Sequence, residues 1–508
     1  MKLNRLFSLL QLVFVVTLTV YIAAMFAPLG IDPHHDGIMM KPAVDVLHGK
    51  TLFKETFTQY GALSTIIQSL ALRFFGEQLL VIKYLTVAFY GGIAALLWLL
   101  WAQFLPPVLS TLITLVWIGL FGFYKNDLYI FLPWSSVYAL FTQMVALHFL
   151  VMWAKWKHSW MMFLVGVFAS LTFWFRQPVG VFVFGSILLF WIIAWIKKIK
   201  LPSILPLVFG FTFIHLIFFY WLIKNDSLVH WWDQSIGFAA SWARVMSLQY
   251  RFPIHQISKL LPLSYSAVSI WVLFPAAMLY QGYRILKIKK GTIINLQLLA
   301  VVFIGLASWP QYYPLDDPRH CFWAATPMMG MFVYSAWNNS YKDRKRIFVF
   351  LLFLLLLVPD IFNGLRNASN KLEVPYYTFT ENTILKGMKE NKNNYDYFQS
   401  LIHTVGREEQ KNPNTFVLSA TADALYGLFG KNTINCSRYY VDWRWDLFDK
   451  RIGEVYTKET RNCIQKYKPL ILTDATHYNP AGYKRITAIP SFSCTENTPL
   501  NYLLAPIE

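Results

Sequence analysis

Charged residues are scarce in this sequence. They make up 14% of its 508 residues, whereas about 25% is usual in soluble domains. Hydrophobic residues account for 56%, and the mean hydropathy is +0.41. This composition excludes an ordinary soluble enzyme and is typical of a chain built for lipid. The net charge of +18 is therefore better explained by basic cytoplasmic loops than by nucleic-acid binding.

Cysteine is also scarce, and the sequence has no internal repeat and no low-complexity tract. The four cysteines include no CxxC pair and no Cys/His spacing typical of zinc sites. Cys436, Cys463 and Cys494 lie near the C-terminus, whereas Cys321 lies at a predicted helix start. An oxidising exterior would permit one disulfide among the first three, and the sequence does not select the pair.

Apolar runs of about spanning length recur through the first 362 residues. The first is too long for a typical signal-peptide core and lacks a clear cleavage site, so we expect it to be retained. Together the runs predict about eleven transmembrane helices, at 7–28, 79–101, 106–123, 134–154, 160–174, 179–196, 202–223, 262–283, 292–309, 321–337 and 347–362.

The charges of the connecting segments alternate in sign along the chain. With eleven crossings, the basic clusters, which begin near Lys2, Lys155, Lys197, Arg284 and Lys342, all fall on one side. The positive-inside rule then predicts a cytoplasmic N-terminus. Short cytoplasmic loops and a compact N-terminus favour a bacterial inner membrane.

No spanning run follows residue 362, and the composition changes there. We therefore predict a transmembrane domain over 1–362 and an external α/β domain over 363–508, long enough to bury a core of its own. Within that domain, residues 415–418 and 470–472 predict buried strands, and 454–467 predicts a helix. The predicted fold class is a mostly α, polytopic membrane protein with a C-terminal external α/β domain.

The first external loop, residues 30–78, carries the sequence most suggestive of chemistry. It begins with Asp32-Pro33-His34-His35-Asp36-Gly37, directly after the first predicted span. A short helix ending at Gly49 and an amphipathic stretch over 62–75 follow. A carboxylate in such a loop can deprotonate a hydroxyl or amine acceptor, or bind a divalent metal. The alternative is that both aspartates cap an interfacial helix.

The order of elements in this loop resembles the C-type glycosyltransferase superfamily, in the branch of dolichyl-phosphate mannosyl protein transferases and their bacterial relatives. The resemblance is carried by four elements: Asp36, Leu47 to Phe53, Phe57 to Leu63, and Phe75-Gly76.

The resemblance implies a membrane enzyme that transfers a hexose or pentose from a polyprenyl-phosphate carrier, with inversion, on the non-cytoplasmic side. The acceptor would be a lipid, a glycan or a protein. By the same resemblance, Asp36 is the base that activates the acceptor. Relatives often have Asp-Glu where this chain has Asp36-Gly37, and Asp32 is the candidate for the second acidic role.

Polar residues elsewhere on the predicted external side are candidates for substrate binding. His34 and His35 are expected to line the cavity rather than bind metal, because adjacent histidines point in different directions. The planar guanidinium of Arg319 suits a phosphate, and His320 at a helix N-terminus could bind the same group. The alternative for Arg319 is an ion pair with Asp316 or Asp317.

Arg176 lies between two apolar segments. Its guanidinium either binds the donor phosphate or extends to the membrane–water interface while the aliphatic part of the side chain stays among apolar groups. Arg244 and Arg251 lie among aromatic residues that hold sugar and phosphate or form an interfacial belt. Lys41 and Tyr60, both in the first loop, complete the candidate set. No cofactor is assigned, and a divalent metal stays an alternative.

Two other classes of function fit a polytopic chain. A lipid or polysaccharide transporter (flippase) would account for intramembrane charges and broken helices. Against it, the charged residues cluster in external loops and no inverted repeat is evident. A non-catalytic assembly protein would use its external domain to bind a partner and would not depend on Asp36.

Overall fold

The computed structural model describes most of the chain. The described residues are 2–122, 130–199, 201, 203–241, 244, 267–287, 293–312, 318–340, 358, 361–381, 383–419, 423–430, 450–473, 480–490 and 500–506. Within these ranges the chain is helical up to residue 373, and the named strands all follow residue 375. This division agrees with the predicted mostly α class.

Residues up to 237 form a run of α-helices that ends in a π-helix, Trp232–Gly237. The helices are α1 (Lys2–Phe26), α2 (His35–Leu47), α3 (Ala62–Phe75), α4 (Leu79–Trp101), α5 (Pro107–Gly119), α6 (Ser135–Trp156), α7 (Ser159–Phe175), α8 (Gln177–Ile196), α9 (Leu205–Lys224) and α10 (Leu228–Trp231).

Further helices follow in the described part of the chain beyond residue 266. They are α11 (Ala267–Lys287), α12 (Ile293–Leu306), α13 (Pro318–Ala325), α14 (Met329–Ser340), α15 (361–373), α16 (Lys392–Lys411) and α17 (Lys450–Tyr467). The predicted run at 321–337 is divided between α13 and α14 by a 3₁₀ turn, Thr326–Met328. Pro327 lies in this turn and cannot donate a helical hydrogen bond.

Among the described residues, five helices are long and apolar enough to cross a membrane. They are α1, α4, α6, α8 and α9, and α5, α7 and α12 are shorter apolar helices. The run predicted at 347–362 lies almost wholly outside the described residues. The count of eleven spans therefore stays a prediction.

Burial separates the inner helices from the outer ones. In the apolar stretch of α6, 78% of the residues are buried, whereas in that of α9 only 17% are buried. Small residues allow α7 and α9 to approach closely: a Cβ on Gly166 would lie 2.1 Å from the carbonyl oxygen of Leu207. Such close backbone contact is typical of helices packed in lipid, where the hydrophobic effect does not drive association.

The first loop contains the two helices that its sequence predicts. Helix α2 begins at His35 and ends at Leu47, and Gly49 follows it with φ +86°. Helix α3 covers Ala62–Phe75. The apolar side chains of α2 at 39, 40, 43 and 44 are buried, because this spacing places them on adjoining faces of a helix.

The C-terminal residues 376–506, here called the C-terminal α/β region, contain two sheets. Strands β1 (Tyr376–Thr378) and β2 (Lys389–Asn391) form an antiparallel pair. Strands β3 (Val417–Ser419), β4 (Leu470–Thr473), β5 (Tyr483–Pro490) and β6 (Leu500–Pro506) form a sheet in the order β3-β4-β6-β5.

In the larger sheet β3 pairs parallel with β4, and the other pairs are antiparallel. The predicted strands at 415–418 and 470–472 are confirmed as β3 and β4, and the predicted helix at 454–467 as α17. The predicted domain boundary at 362 falls inside α15. The division into domains stays a prediction.

One hydrophobic core joins the first loop to the C-terminal α/β region. Met40 and Val44 of α2 belong to the same buried cluster as Leu401 of α16, Leu425 and Leu472. Backbone bonds join the two parts as well: Lys389 N donates to Pro28 O at 2.8 Å, and Gly30 N donates to Lys389 O at 2.9 Å. The C-terminal region therefore packs directly on the loop that carries Asp36.

Gly37 lies at the closest approach between these two parts. Leu425 N donates to Pro33 O at 3.2 Å, which brings the backbone of 424–425 over the first turn of α2. A Cβ on Gly37 would lie 2.3 Å from Leu425 N and 2.9 Å from the carbonyl carbon of Ala424. The absence of a side chain at residue 37 is therefore a condition for this packing.

One disulfide lies in the C-terminal region. Cys463 is disulfide-bonded, whereas the buried Cys321 takes no part in a disulfide. Cys436 and Cys494, the remaining candidates for its partner, lie outside the described residues. The disulfide of Cys463 is of the kind that the sequence permits among these three cysteines, and the pairing stays open.

We expect Gly37→Ala to destabilise the packing of the C-terminal region on α2. The new methyl group meets backbone atoms that cannot move alone, and overpacking of this kind costs about 1–3 kcal/mol. The measurement is the thermal unfolding midpoint of the purified protein, which should fall, together with the rate of limited proteolysis, which should rise.

The matched control is Gly406→Ala, in helix α16. A Cβ there has no neighbour within 4 Å, so the substitution should be neutral or stabilise the helix by about 0.5–1 kcal/mol. Because both glycines are helical, their difference isolates the steric contact. An unchanged or higher midpoint for Gly37→Ala would contradict the expectation.

Candidate active site

Asp36 is completely buried in the first turn of α2. Its Oδ2 accepts from Asp32 N at 3.0 Å and forms an ion pair with Lys83 Nζ at 3.0 Å. Its Oδ1 is also buried and has no hydrogen-bond partner among the described residues. One carboxylate oxygen is therefore fixed by the protein, and the other can accept a proton from a further group.

The surroundings of Asp36 favour proton transfer near neutral pH. Burial raises the pKa of Asp36 to about 6, and the Asp32 charge adds to the increase, while Lys83 partly opposes it. A general base is most effective when its pKa lies near the operating pH. Lys83 is fully buried and also donates to Gly30 O at 3.1 Å, so two acceptors hold its ammonium group.

Asp32 orders the turn that precedes α2. Its Oδ1 accepts from His35 N at 2.9 Å, and its Oδ2 lies 2.6 Å from His35 Nδ1. Burial disfavours the charged carboxylate, but the hydrogen bonds and charge of His35 outweigh it and hold the pKa of Asp32 below its usual range. Asp32 thus bonds the backbone at the start of α2, whereas Asp36 Oδ2 is held by Asp32 N and Lys83 Nζ.

Trp134, just before α6, brings together candidates from distant parts of the sequence. Its ring centroid lies 4.9 Å from that of His35, 5.9 Å from Tyr60 and 6.3 Å from His320. Trp134 itself is 8% exposed. His34 packs edge-on against His35 at 4.8 Å. The two predicted histidine sites and Tyr60 therefore surround one buried indole.

Two arginines lie near this aromatic group. Arg176 lies between α7 and α8 and donates from Nη1 to Ser136 Oγ. Burial raises the pKa of the Tyr60 hydroxyl, and the positive charges of Arg176 and Arg319 oppose the increase. The charges of both arginines therefore favour ionisation of the same Tyr60 hydroxyl. Arg319 also lines a small cavity with Tyr90 and Trp323.

The structure does not bring every candidate to this site. Lys41 is 2% exposed and forms an ion pair with Asp45, whose other oxygen accepts from Thr56 Oγ1 at 2.6 Å. This pairing neutralises Lys41 within the core below the C-terminal region. Arg244 is exposed. Arg251 lies outside the described residues, as do Asp316 and Asp317.

Sequence reasoning missed Trp134 and Glu390 of this region, and it noted Lys83 in the same way as Arg176, without its partner. Lys83 carried a signal, because a lysine in an apolar helix needs a partner, but its pairing with Asp36 was not predictable from spacing. Trp134 had no signal beyond that of an aromatic residue near an interface. Glu390 of β2, whose Oε1 accepts from Ile31 N at 2.6 Å, gave no signal at all.

The alternative of a metal site concerns the same acidic and histidine side chains. In the described ranges, no group of three or more His, Cys, Asp or Glu side chains is placed to hold a metal ion. Asp32 and His35 are engaged with each other. A divalent metal stays an alternative that no described cluster supports.

No protein-family model and no curated protein matches the sequence. Solved structures do match. The chain is similar to ArnT from Cupriavidus metallidurans bound to undecaprenyl phosphate, with 9% identity, a TM-score of 0.56 and 97% of each chain covered.

The chain is also similar to the Archaeoglobus fulgidus oligosaccharyltransferase tethered with an acceptor peptide. That match has 12% identity and a TM-score of 0.49, and it covers 91% of this chain and 69% of the other. The comparison of folds rests on the ArnT match. At 9% identity, this match shows similarity of fold and nothing further. The fold of this chain is therefore that of the ArnT structure, which agrees with the fold that the resemblance of its first loop implies.

Proposed function

We propose that this protein is an integral-membrane, inverting glycosyltransferase. It transfers a sugar from a polyprenyl-phosphate carrier to a lipid, glycan or protein acceptor on the non-cytoplasmic side. The observation that carries the proposal is the Asp36 carboxylate, with one oxygen fixed by Lys83 and Asp32 and the other buried without a partner. The similarity to a protein bound to undecaprenyl phosphate supports the donor class.

The proposed reaction is a single displacement. Asp36 Oδ1 takes the proton of an acceptor hydroxyl or amine while the acceptor atom attacks the anomeric carbon. The bond between that carbon and the phosphate oxygen breaks, and the polyprenyl phosphate leaves with the electron pair. Because a phosphate is a good leaving group, no strong acid is needed. Attack opposite the leaving group inverts the anomeric carbon.

The positive groups near Tyr60 suit the leaving phosphate. Arg176 and Arg319 both act on the Tyr60 hydroxyl, and His320 lies beside Trp134. Fixed donors that face a developing negative charge contribute more in a site with little water than at a surface. The Trp134 and Tyr60 rings, at 5.9 Å, would provide apolar faces for the sugar.

The packing of the C-terminal region supports the proposed topology. That region contacts the first loop through Lys389 and Leu425, so the loop and the region lie on one side of the membrane. With the first helix proposed as a span, the N-terminus lies on the opposite side from the loop. The number of crossings before the region is then odd, in agreement with eleven. We assign the N-terminus to the cytoplasm and the region to the exterior of a bacterial inner membrane.

Replacing Asp36 with Asn is expected to abolish transfer. The amide cannot take the acceptor proton, and loss of a general base typically costs about 10²–10⁴-fold in rate. The assay is the formation of glycosylated product by purified protein from a radiolabelled lipid-linked donor. A flippase would move the labelled lipid without forming this product.

Asp45→Asn is the matched control for Asp36→Asn. Asp45 lies on the same helix and also forms a buried ion pair, with Lys41. Both substitutions leave a buried lysine without its carboxylate, so both should lower the unfolding midpoint. Only Asp36→Asn should remove activity from the folded fraction. Equal specific activity of the two variants would disprove the role of Asp36.

The rate of transfer is expected to fall as the pH decreases through about 6. Burial raises the pKa of Asp36 to about 6, and only the ionised form accepts a proton. The rate should therefore be constant above about pH 7 and fall about tenfold per pH unit well below 6. Initial rates across this range test the expectation. An acidic limb near pH 4, the ordinary range of a carboxyl, would contradict it.

Replacing Arg176 or Arg319 with Gln should weaken donor binding more than acceptor binding. Each loses a charge-assisted hydrogen bond to phosphate, which contributes about 1.5–3 kcal/mol, so KM for the donor should rise about 10–100-fold. Arg73→Gln, at an exposed position of α3, is the control and should leave KM unchanged. Equal KM values in all three variants would exclude both arginines from the donor site.

A further inference from the structure

The peptide group between Gly30 and Ile31 links two buried charges. Its carbonyl oxygen accepts from Lys83 Nζ at 3.1 Å, and its N–H donates to Glu390 Oε1 at 2.6 Å. The oxygen and the hydrogen of a trans peptide point in opposite directions. Lys83 and Glu390 therefore bind opposite ends of one dipole, with the positive charge at the oxygen and the negative charge at the hydrogen.

Glu390 is held firmly in this position by the C-terminal region. Strand β2 pairs with the chain at Pro28 and Gly30 through both backbone groups of Lys389. Glu390 is 3% exposed, and its second oxygen accepts from Asn394 Nδ2 at 3.1 Å. Both carboxylate oxygens thus have partners, and Oε1 cannot leave the Ile31 N–H without breaking a buried hydrogen bond.

Lys83 is shared between two acceptors at nearly equal distance. Its Nζ lies 3.0 Å from Asp36 Oδ2 and 3.1 Å from Gly30 O. A carboxylate on the N–H end of a peptide polarises the group and strengthens the bond that its carbonyl accepts. Glu390 therefore draws the ammonium group towards Gly30 and limits how fully it neutralises Asp36.

Few charged or titratable groups among the described residues interact with the carboxylates of Asp36 and Glu390. Glu390 faces Lys83 from α4 and Tyr376 from β1, and burial raises its pKa while Asn394, the Ile31 N–H and Lys83 oppose the increase. Asp36 faces Lys83 and Asp32. Lys83 is the cation that interacts with both Asp36 and Glu390.

We propose that Glu390 is a positioning residue of the active site, which acts through the Gly30–Ile31 peptide to set the place of Lys83 and so keeps Asp36 able to accept a proton. Strand β2 of the C-terminal α/β region is then part of the catalytic centre rather than a separate domain's edge. This inference rests on the proposed function of Asp36. Residue 37 has no room for a second carboxylate beside Asp36, and Glu390 supplies one from another element.

Glu390→Gln tests this role with little change of shape. The amide oxygen can still accept from Ile31 N–H, but the charge is gone, so Lys83 should move towards Asp36 and stabilise its ionised form. We expect the acidic limb of the rate profile to move down by about one pH unit. The maximal rate should fall about threefold, because a weaker base transfers the proton more slowly. KM for the acceptor should not change.

Two further variants provide the comparison. Lys389→Gln removes a charge from the neighbouring position of the same strand and should keep the wild-type profile. Glu390→Asp keeps the charge on a shorter side chain, so its limb and rate should lie between those of wild type and Glu390→Gln. If Glu390→Gln does not fold, the profile of Glu390→Asp decides. If the acidic limb of the pH–rate profile in either folded Glu390 variant is identical to that of wild type, the proposal is overturned. Loss of a purely structural hydrogen bond would lower stability without moving this limb.

A titration without turnover separates this inference from the proposed function. The carboxyl infrared band of Asp36, obtained as the difference between a protein and its Asp36→Asn counterpart, reports its protonation directly. The band should titrate at lower pH in Glu390→Gln than in wild type. If it does so while no donor yields transfer, the coupling stands and the proposed function falls. If transfer occurs and the band does not move, the coupling is wrong.

Discussion

The buried ion pair between Asp36 and Lys83 is the interaction on which the other features depend. Removing two charges from water costs several kcal/mol for each ion, and mutual attraction offsets this only where further hydrogen bonds complete both groups. Here the Asp32 N–H completes one oxygen of Asp36, and the Gly30 carbonyl completes Lys83. The pair joins the first turn of α2 to α4. The C-terminal region covers this turn, and both charged side chains are fully buried beneath it.

The cover comes from the C-terminal α/β region, and it explains the composition of α2. A helix at a membrane surface usually has one apolar face, but α2 is buried along most of its length because lipid-side helices and the C-terminal region both pack on it. The second ion pair of α2, between Lys41 and Asp45, is a consequence of the same burial. A lysine enclosed on all sides needs a carboxylate one turn away.

Local sequence patterns predicted much of this architecture, but they did not predict contacts between residues that are distant in the sequence. Hydropathy located the helices, and Gly49 correctly marked the end of α2. Strands β3 and β4 followed from short apolar runs. The spacing of four residues between Lys41 and Asp45 is that of a helical ion pair, and the structure contains this pair. Nothing local relates Glu390 to Ile31 or Trp134 to His320, because those contacts depend on how distant elements pack. The prominence of Asp36 came from family resemblance rather than from physics of the sequence alone.

The fit between Gly37 and the backbone of Leu425 has a consequence for how such chains diverge. A side chain gained at residue 37 can be accommodated only if the turn at 424–425 moves away from α2. A change on the first loop at this point therefore requires a matching change in the C-terminal region, although most of the polypeptide separates them. A chimera that combines the loop of one homologue with the C-terminal region of another would bring together surfaces that were never fitted to each other.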